Sequence, residues 1–365
     1  MIIKSVVILL TGLLLFVFVC NDYALYQAPI AQITATKERF LYNKQGALNA
    51  SESYYGQDIT AVIKNGVYKD RVVMLTNTYG SSLVYDDKYV EGNAVFIENI
   101  QEGPDGLSAV AVGLKRDHYV VGVTLLLLSL LFLVGGKQGL FTALCLFINI
   151  LVFYCMLLFH QQQGTNIFFL SCITSVIFCS IILLLINGIK KVTFMALAAS
   201  LASIFFVTLL SFTVMHFSPR IDYAFLEYLL QPYEQSDADS LFLSEILMGG
   251  VGVIIDISVT ITACANALFE QNPSIDGKSL IKSCRAVSDD ITGTMINVVF
   301  FANVSSCLPL FVISLQNEIA FTTVLRYNVF FEVCRFLTGS IGIIAAIPFS
   351  VLAVYLSYGR RKSVC

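Results

Sequence analysis

One carboxylic acid lies where the sequence predicts the middle of a membrane-spanning helix. The stretch Ser244–Phe269 is an apolar run long enough to cross a bilayer, and Asp256 lies near its centre. A transmembrane helix needs about 20 apolar residues, and an aspartate at its centre costs roughly 2.5–3.5 kcal/mol on insertion. Such an acid is either the proton- or cation-linked site of a transporter or a protonated group that joins two helices by hydrogen bonds. We favour the first, because intramembrane acids usually mark pathways.

Small and polar residues share the face of the helix that carries Asp256. They recur at steps of three and four residues, at Gly249, Gly252, Thr260, Ala263 and Ala267. Small residues allow a second helix to approach closely. We therefore expect Gly249 and Gly252 to be helix-packing positions, the carboxyl group to be hidden from lipid, and Thr260 to be one of its hydrogen-bonding neighbours.

The next predicted span also has a polar face. Asp290, Thr294 and Asn297 follow one another at steps of four and three residues. Asp289 and Asp290 lie at the predicted start of this helix, where negative charge suits the exposed N–H groups. A helix-terminal role is therefore favoured for this pair. Asn297 lies deeper, and we assign it as a second polar neighbour of the central acid.

The last span is preceded by a pair of opposite charges. Glu332 and Arg335 are three residues apart and can pair along one helix face. Because they precede the main apolar stretch, an interfacial pair that reaches the outer surface is favoured over a transport site. Gly339 and Gly342 follow at the spacing of helix-packing residues.

No metal site, cofactor site or catalytic residue is predicted. His118, His160 and His216 all fall at the outer ends of predicted spans, where together they could bind a metal or sense pH. Nothing in the sequence brings these three ends together, so separate interfacial histidines are favoured. The residue patterns of intramembrane proteases do not stand at a usable depth, and we predict that the protein is not an enzyme.

The composition indicates an integral membrane protein. Hydrophobic residues make up 57% of the chain and charged residues 13%, whereas soluble domains carry about 25% charge. No basic stripe or nucleic-acid motif is present, so nucleic acid is excluded as a partner. The ten cysteines lack CxxC spacing and lie mostly in or beside apolar runs, which argues against a disulfide scaffold or structural zinc.

Eight apolar stretches are long enough to be membrane spans. The first has Lys4 before its apolar run and lacks small residues at its end, so an uncleaved signal anchor is favoured over a cleaved signal peptide. The eight predicted spans are Met1–Cys20, Tyr119–Val134, Leu140–Phe159, Ile167–Ile186, Val192–Phe217, Ser244–Phe269, Ile291–Leu315 and about Phe336–Ser357.

The stretch Asn21–His118 has a different character. In it, Ile59, Ala61 and Ile63 alternate with polar neighbours, as a half-buried strand requires. Five such runs separated by turn signals predict a small closed barrel or sandwich. The predicted strands are Ile30–Phe40, Asp58–Lys64, Arg71–Thr76, Asn93–Asn99 and Leu107–Leu114.

Loop charges predict the orientation in the membrane. With the N-terminus in the cytoplasm, the short outer loops receive only Arg220 and Arg326, and the stretch Ser218–Ser240 is acidic. By the positive-inside rule, both termini are cytoplasmic and residues 21–118 are extracytoplasmic. The cytoplasmic side then receives Lys4, Lys137, Lys190, Lys191, Lys278, Lys282, Arg285, Arg360, Arg361 and Lys362.

The predicted fold class is an α-helical polytopic membrane protein. It has about eight transmembrane helices and one small extracytoplasmic domain that is β-barrel- or β-sandwich-like. The predicted divisions are a signal anchor at 1–20, the β-rich domain at 21–118, helices 2–5 at 119–217, an acidic outer loop at 218–243, helices 6–8 at 244–358 and a basic cytoplasmic tail at 359–365.

Three membrane runs carry a family resemblance. The runs Gly249–Glu270, Asp289–Leu310 and Phe331–Ser350, with QDITAVIKNGVYKDRVVMLTN and YVEGNAVFI in the soluble stretch, resemble the YibE/F family of multi-pass bacterial membrane proteins. The resemblance implies a cell-membrane location and no settled activity. It matches family motif positions at Asp256, Asp290, Gly293, Thr294, Asn297, Glu332, Arg335, Gly339 and Pro348.

Two functions are compatible with the sequence. The first is a proton- or cation-coupled transporter of an unknown small solute or ion, with Asp256 as the coupling residue. The second is a non-catalytic envelope binding or assembly protein whose β-domain recruits a partner. The bilayer is a partner in both, and a homo-oligomer or a further membrane partner is left open.

Overall fold

The computed structural model describes residues 2–45, 51–104, 106–217, 223 and 234–359. Most of the predicted acidic loop, including Asp222 and Glu227, and nearly all of the predicted basic tail lie outside these residues. The chain forms two compact units, residues 1–139 and residues 140–365.

Six helices in the described part of the chain are long and apolar enough to cross a membrane, which supports a membrane-embedded protein. They belong to α2, α3, α4, α5, α6 and α8. A short turn of helix, α7, and a π-helical segment at Leu325–Val329 lead into α8. The helices are α1 (Ile2–Cys20), α2 (Asp117–Gln163), α3 (Ile167–Asn187), α4 (Lys191–Phe217), α5 (Gln235–Gln271), α6 (Gly277–Gln316), α7 (Phe321–Val324) and α8 (Phe330–Gly359).

Helix α2 is broken where the sequence separates two spans. It is 47 residues long, and Gly136 inside it has non-helical angles, with φ 54° and ψ −125°. Because of this break the chain bends back on itself. A Cβ atom on Gly139 would lie 1.9 Å from the carbonyl oxygen of Leu131, so only glycine fits there.

The first unit contains a five-stranded mixed sheet. Its strands pair in the order β1-β2-β3-β5-β4, and β4 pairs again with β1, so the sheet closes on itself. Among the described strands, the pairing of β3 with β5 is the parallel one. The strands are β1 (Ile30–Gln45), β2 (Ser51–Ile63), β3 (Val72–Gly80), β4 (Ala94–Gly103) and β5 (Gly106–Leu114).

Alternation along the strands builds the core of the sheet. Ile59, Ala61 and Ile63 are fully buried, as predicted, and face Val73, Leu75 and other apolar side chains from the neighbouring strands. Strands β1 and β2 are longer than predicted. Their outer halves pair with each other as a ribbon, in which the β1 side chains are exposed and most β2 side chains are partly buried.

A buried lysine ties the sheet to the ends of two helices within the same unit. The side chain of Lys115 is 2% exposed, and its Nζ lies 2.8 Å from carboxylate oxygens of both Asp22 and Asp117. It also donates a hydrogen bond to the backbone oxygen of Val19, near the end of α1. The ammonium group is therefore fully compensated although it is buried.

Helix α5 is the centre of the second unit. Ile254, Ile255, Ile257 and Ile261 are at most 2% exposed and pack with apolar residues of the surrounding helices. Such burial is expected of a helix face that packs against other helices.

Helices α5 and α8 run parallel to each other. Along both chains, Glu245 meets Arg335, Ile254 meets Gly342, and Asn266 accepts a hydrogen bond from Tyr358. Helix α6 runs antiparallel to α8, because its residues Gly277 and Val299 lie beside Tyr355 and Gly339, respectively. This alternation agrees with one membrane crossing each by α5, α6 and α8.

Candidate functional site

The predicted central acid lies on an open face of α5. Asp256 is exposed although its neighbours Ile255 and Ile257 are buried. Among the described residues its carboxylate has no hydrogen bond and no ion pair. The expectation that packed neighbours hide this group is therefore wrong for the single chain. The residues of the predicted small and polar face are all exposed, namely Gly249, Gly252, Asp256, Thr260, Ala263 and Ala267.

Helix α8 packs against a different face of α5. Gly250, Ile254 and Ser258 form the contact surface, with Ser350 of α8 donating a hydrogen bond to the backbone oxygen of Ser258 at 3.5 Å. Nothing in the described chain lies within 4 Å of a Cβ built on Gly252. The predicted packing role of Gly252 is therefore not fulfilled inside this chain.

The predicted polar neighbours of Asp256 bond to their own helices. Thr260 donates a hydrogen bond to the backbone oxygen of Asp256 at 2.8 Å, and Asn297 donates one to the backbone oxygen of Gly293 at 2.8 Å. Neither reaches the Asp256 carboxylate. Both patterns are the local i−4 bonds that short polar side chains make in helices.

The acidic pair on α6 does not begin a helix. Helix α6 starts at Gly277 and is capped by Asp276, whose side chain accepts a hydrogen bond from the backbone N–H of Ser279. The helix-terminal role predicted for Asp289 and Asp290 is therefore wrong, because the helix continues beyond the apolar stretch. Asp290, Gly293, Thr294 and Asn297 form a second exposed small and polar face.

Two of the predicted packing glycines allow close helix contacts. A Cβ on Gly342 would lie 2.7 Å from Cδ1 of Ile254 and 3.3 Å from Cγ2 of Val207, so α4, α5 and α8 meet there. A Cβ on Gly339 would lie 3.3 Å from Cγ1 of Val299 on α6.

Three charged groups form a cluster at one end of α5 and α8. Arg335 pairs with Glu332 at 2.9 Å, as its spacing predicts, and also with Glu245. Sequence reasoning missed Glu245; its position at the edge of the apolar run was the available signal. Gly249 makes room for this contact, since its Cβ would lie 3.0 Å from Cδ of Arg335. The Arg335 and Glu332 side chains are only 21% and 17% exposed.

A hollow of about 530 Å³ lies beside this cluster, and we call it the Arg335 cavity. Its walls come from the second half of α2 and from α3, α5 and α8. Glu245, Gly249 and Arg335 line one side, and most of the remaining lining is apolar.

A larger groove of about 850 Å³ lies between α6 and α8, toward the opposite end of α8. Pro348 lines it together with Ile344. Since proline has no N–H group, the backbone oxygen of Ile344 loses its usual helical donor there. Arg285, Ser288, Asp289 and Thr292 add polar groups to an otherwise apolar wall.

Each of the three histidines has its own local contacts. His160 lies 2.7 Å from the backbone oxygen of Thr165, His216 stacks on Phe212, and His118 lies near Asp117. The described residues contain no cluster of three or more His, Cys, Asp or Glu side chains suited to a metal ion. The nine described cysteines are free.

Comparison with known families gives two matches. The model of the YibE/F-like protein matches residues 123–360, and the model of the YibE/F family N-terminal domain matches residues 24–112. No curated protein and no solved structure matches the chain. The matches cover both the helical unit and the sheet, and the chain therefore belongs to the YibE/F family.

Proposed function

We propose that this protein is a proton- or cation-coupled transporter of a small solute or ion, with Asp256 as the coupling residue. The observation that supports the proposal is the free carboxyl group of Asp256, halfway along a helix that the rest of the unit packs around. Asp256 is about 16 Å along α5 from Glu245, at 1.5 Å per residue. It is therefore far from both ends of the apolar run.

The energetics favour a ligand at this carboxyl group. An unpaired aspartate at mid-membrane depth costs roughly 2.5–3.5 kcal/mol. A proton or a bound cation removes most of that cost by neutralising the charge. The neutral form of Asp256 then favours a conformation in which this face of α5 is covered, and the ionised form favours one in which it is open. A coupling residue needs such a difference between its two states.

The hollows at the two ends of α8 are consistent with this proposal. The Arg335 cavity and the groove beside Pro348 lie toward opposite ends of the same helix. We propose that they are the two openings of a solute path, and that the exposed face of α6 carrying Asp290 and Asn297 contributes polar groups to it.

Replacement of one carboxyl oxygen tests the proposal. In a strain lacking the gene, growth is profiled across metals, drugs and pH, and the wild-type gene is used to restore the sensitive condition. We expect Asp256→Asn to fail to restore growth at wild-type membrane levels and Asp256→Glu to restore it at least in part. Glu318→Gln, which changes an exposed loop carboxylate, is the matched control. Full restoration by Asp256→Asn would remove the coupling role.

The same proposal includes a membrane arrangement. If α1 and the two parts of α2 on either side of Gly136 count as one span each, the chain crosses the bilayer eight times. Both termini then lie in the cytoplasm of a bacterial cell and the closed sheet, a small barrel-like domain, lies outside. The loop charges support this orientation.

A second candidate function is recruitment of an envelope partner by the sheet. The observation that favours it is the β1–β2 ribbon, where Phe40 and Tyr42 are 57% and 51% exposed and pack against Tyr55 and Tyr54. Exposed aromatic clusters are typical of protein contact surfaces. If the sheet recruits a partner through this ribbon, replacing Phe40 and Tyr42 by Ala will abolish crosslinking of the full chain to that partner. Replacing the exposed Tyr85 by Ala will not.

A further inference from the structure

The Arg335 cavity has the size and wall chemistry of a small-molecule site. Its volume of about 530 Å³ lies within the range of roughly 300–1,000 Å³ that such sites occupy. Its apolar lining includes Phe153, Met156, Leu157, Phe242 and Met248. Aromatic and methionine side chains adapt to flat and flexible apolar groups.

The charges around the cavity do not cancel. Arg335 is the only cationic side chain in its lining, and it already has two partners. Glu332, which does not line the cavity and is 17% exposed, forms the second ion pair with the same guanidinium group. Two carboxylates therefore share one cation, and Glu245 is the one that lines the cavity, where its side chain is 48% exposed and can also contact a positively charged ligand.

A buried hydroxyl group points to a ligand that forms hydrogen bonds. Ser171 lines the cavity and is only 1% exposed, and its Oγ has no hydrogen-bond partner among the described residues. Buried hydroxyl groups are normally paired, because an unpaired one costs about 1–3 kcal/mol. An N–H group of a bound molecule would satisfy it.

We propose that the Arg335 cavity binds a protonated organic amine with an apolar body. The apolar body lies against Phe153, Phe242 and the two methionines, and the ammonium group faces Glu245, with Ser171 as a further hydrogen-bonding group. The inference concerns binding alone. It holds or fails independently of whether Asp256 couples transport.

A matched series of ligands tests the charge requirement. Phenylbutylamine, phenylbutanol and phenylbutanoate share one body and carry a positive, a neutral and a negative head group. Each is titrated calorimetrically into the full chain in phosphatidylglycerol nanodiscs, with empty nanodiscs as the blank. We expect saturable binding of the amine that is about fivefold tighter than that of the alcohol, the effect of one half-exposed ion pair. The carboxylate should bind most weakly.

Variants then assign the preference to named groups. Glu245→Gln should bring the affinity for the amine down to that for the alcohol while still accepting a hydrogen bond from Arg335. Ser171→Ala should weaken amine binding about two- to tenfold. Glu318→Gln, an exposed carboxylate outside the cavity, should bind like the wild type.

Two results would overturn the proposal. One is equal affinity of the wild-type protein for the amine and the alcohol, which needs no variant to interpret. The other is a preference for the amine that survives in Glu245→Gln. Loss of phenylbutylamine binding when the nanodiscs contain phosphatidylethanolamine would support the proposal and show that the ammonium group of a lipid competes for the same site.

Discussion

At the scale of single residues, Lys115 shows how a buried charge is tolerated. Burial lowers the pKa of the Lys115 ammonium group, but hydrogen bonds to Asp117 and Asp22 raise it by more, so the net pKa lies above its ordinary value. The group stays charged because each of its partners is within 2.9 Å. Removing one member of such a cluster leaves an uncompensated charge, which costs about 3–5 kcal/mol when buried.

Tyr26 belongs to the same cluster and makes its stability depend on pH. Its hydroxyl group donates a hydrogen bond to Asp117 at 2.5 Å; this bond, burial and the Asp117 charge raise the pKa of Tyr26 from 10.0 to about 12. A raised pKa in the folded state gives stabilisation that is complete below pH 10 and is lost as the pH rises through about 12.

The test is an alkaline titration of the full chain followed by tyrosinate absorbance. Subtracting the Tyr26→Phe curve from the wild-type curve should isolate a transition near pH 12. In denaturant that transition should move to about pH 10. A difference curve centred near pH 10 in the folded protein would contradict the assigned hydrogen bond.

Individual site residues were only partly predictable from the sequence. The pairing of Glu332 with Arg335 follows from their spacing on one helix, and the structure confirms it. Their contact with Glu245 depends on two helices that are distant in the chain, and no local pattern reveals it. The same limit explains why Thr260 was assigned to the Asp256 carboxyl group although its hydroxyl group bonds to the backbone.

At the scale of elements, α5 has two kinds of small-residue surface. One, at Gly250 and Ser258, is buried against α8, and the other, at Gly252 and Asp256, is open. The periodicity of small residues indicated only the open surface, because it does not show which face of a helix another helix covers. The buried face is the one that also carries large isoleucines, whose van der Waals packing against neighbouring helices favours helix association in a bilayer.

Gly342 and Gly252 form a matched pair for testing this distinction. Gly342→Ala places a methyl group 2.7 Å from Cδ1 of the buried Ile254, so α8 must shift, and we expect a loss of about 1–3 kcal/mol. Gly252→Ala meets nothing within 4 Å and should be neutral or stabilise by up to about 1 kcal/mol. Unfolding in mixed micelles titrated with a denaturing detergent measures both, and equal stability of the two variants would contradict the packing.

Two glycines near the break in α2 form a second matched pair for testing the structure. Gly139→Ala would bring its methyl group within 1.9 Å of the Leu131 backbone oxygen, and backbone atoms cannot yield as a side chain does. We expect a loss of at least about 3 kcal/mol, seen as a lower melting temperature and a reduced amount in the membrane. Gly135→Ala has open space and serves as the control. A tolerant Gly139→Ala would mean that the chain does not bend so tightly.

Element boundaries were the least predictable part of the fold. The five predicted strands overlap the observed ones and the predicted apolar stretches lie in helices, because alternation and apolar length are strong local signals. Helix α5 begins at Gln235 and α6 at Gly277, well before the predicted spans at Ser244 and Ile291. A span prediction includes only the apolar residues. The helix itself begins earlier, among polar residues, at an N-cap such as Asp276.

At the scale of the whole molecule, the orientation in the membrane is the main prediction. Epitope tags inserted after Val67, which is 96% exposed, and at the C-terminus report the two sides. We expect protease added to intact spheroplasts to remove the first tag and spare the second, because basic loops stay in the cytoplasm. A tag between Gly188 and Lys190 should behave like the C-terminal one. Removal of both the Val67 tag and the C-terminal tag would indicate that the chain crosses the membrane an odd number of times.

The shared ammonium group of Lys115 also provides a natural reporter. Because its nitrogen is enclosed by two carboxylates and a backbone oxygen, amine-reactive reagents must modify exposed lysines such as Lys37 and Lys44 long before they reach it. Any label found at Lys115 therefore records a moment when the end of the first helix and the start of the second had come apart. The rate of labelling at Lys115 therefore measures how often this junction opens in the folded protein.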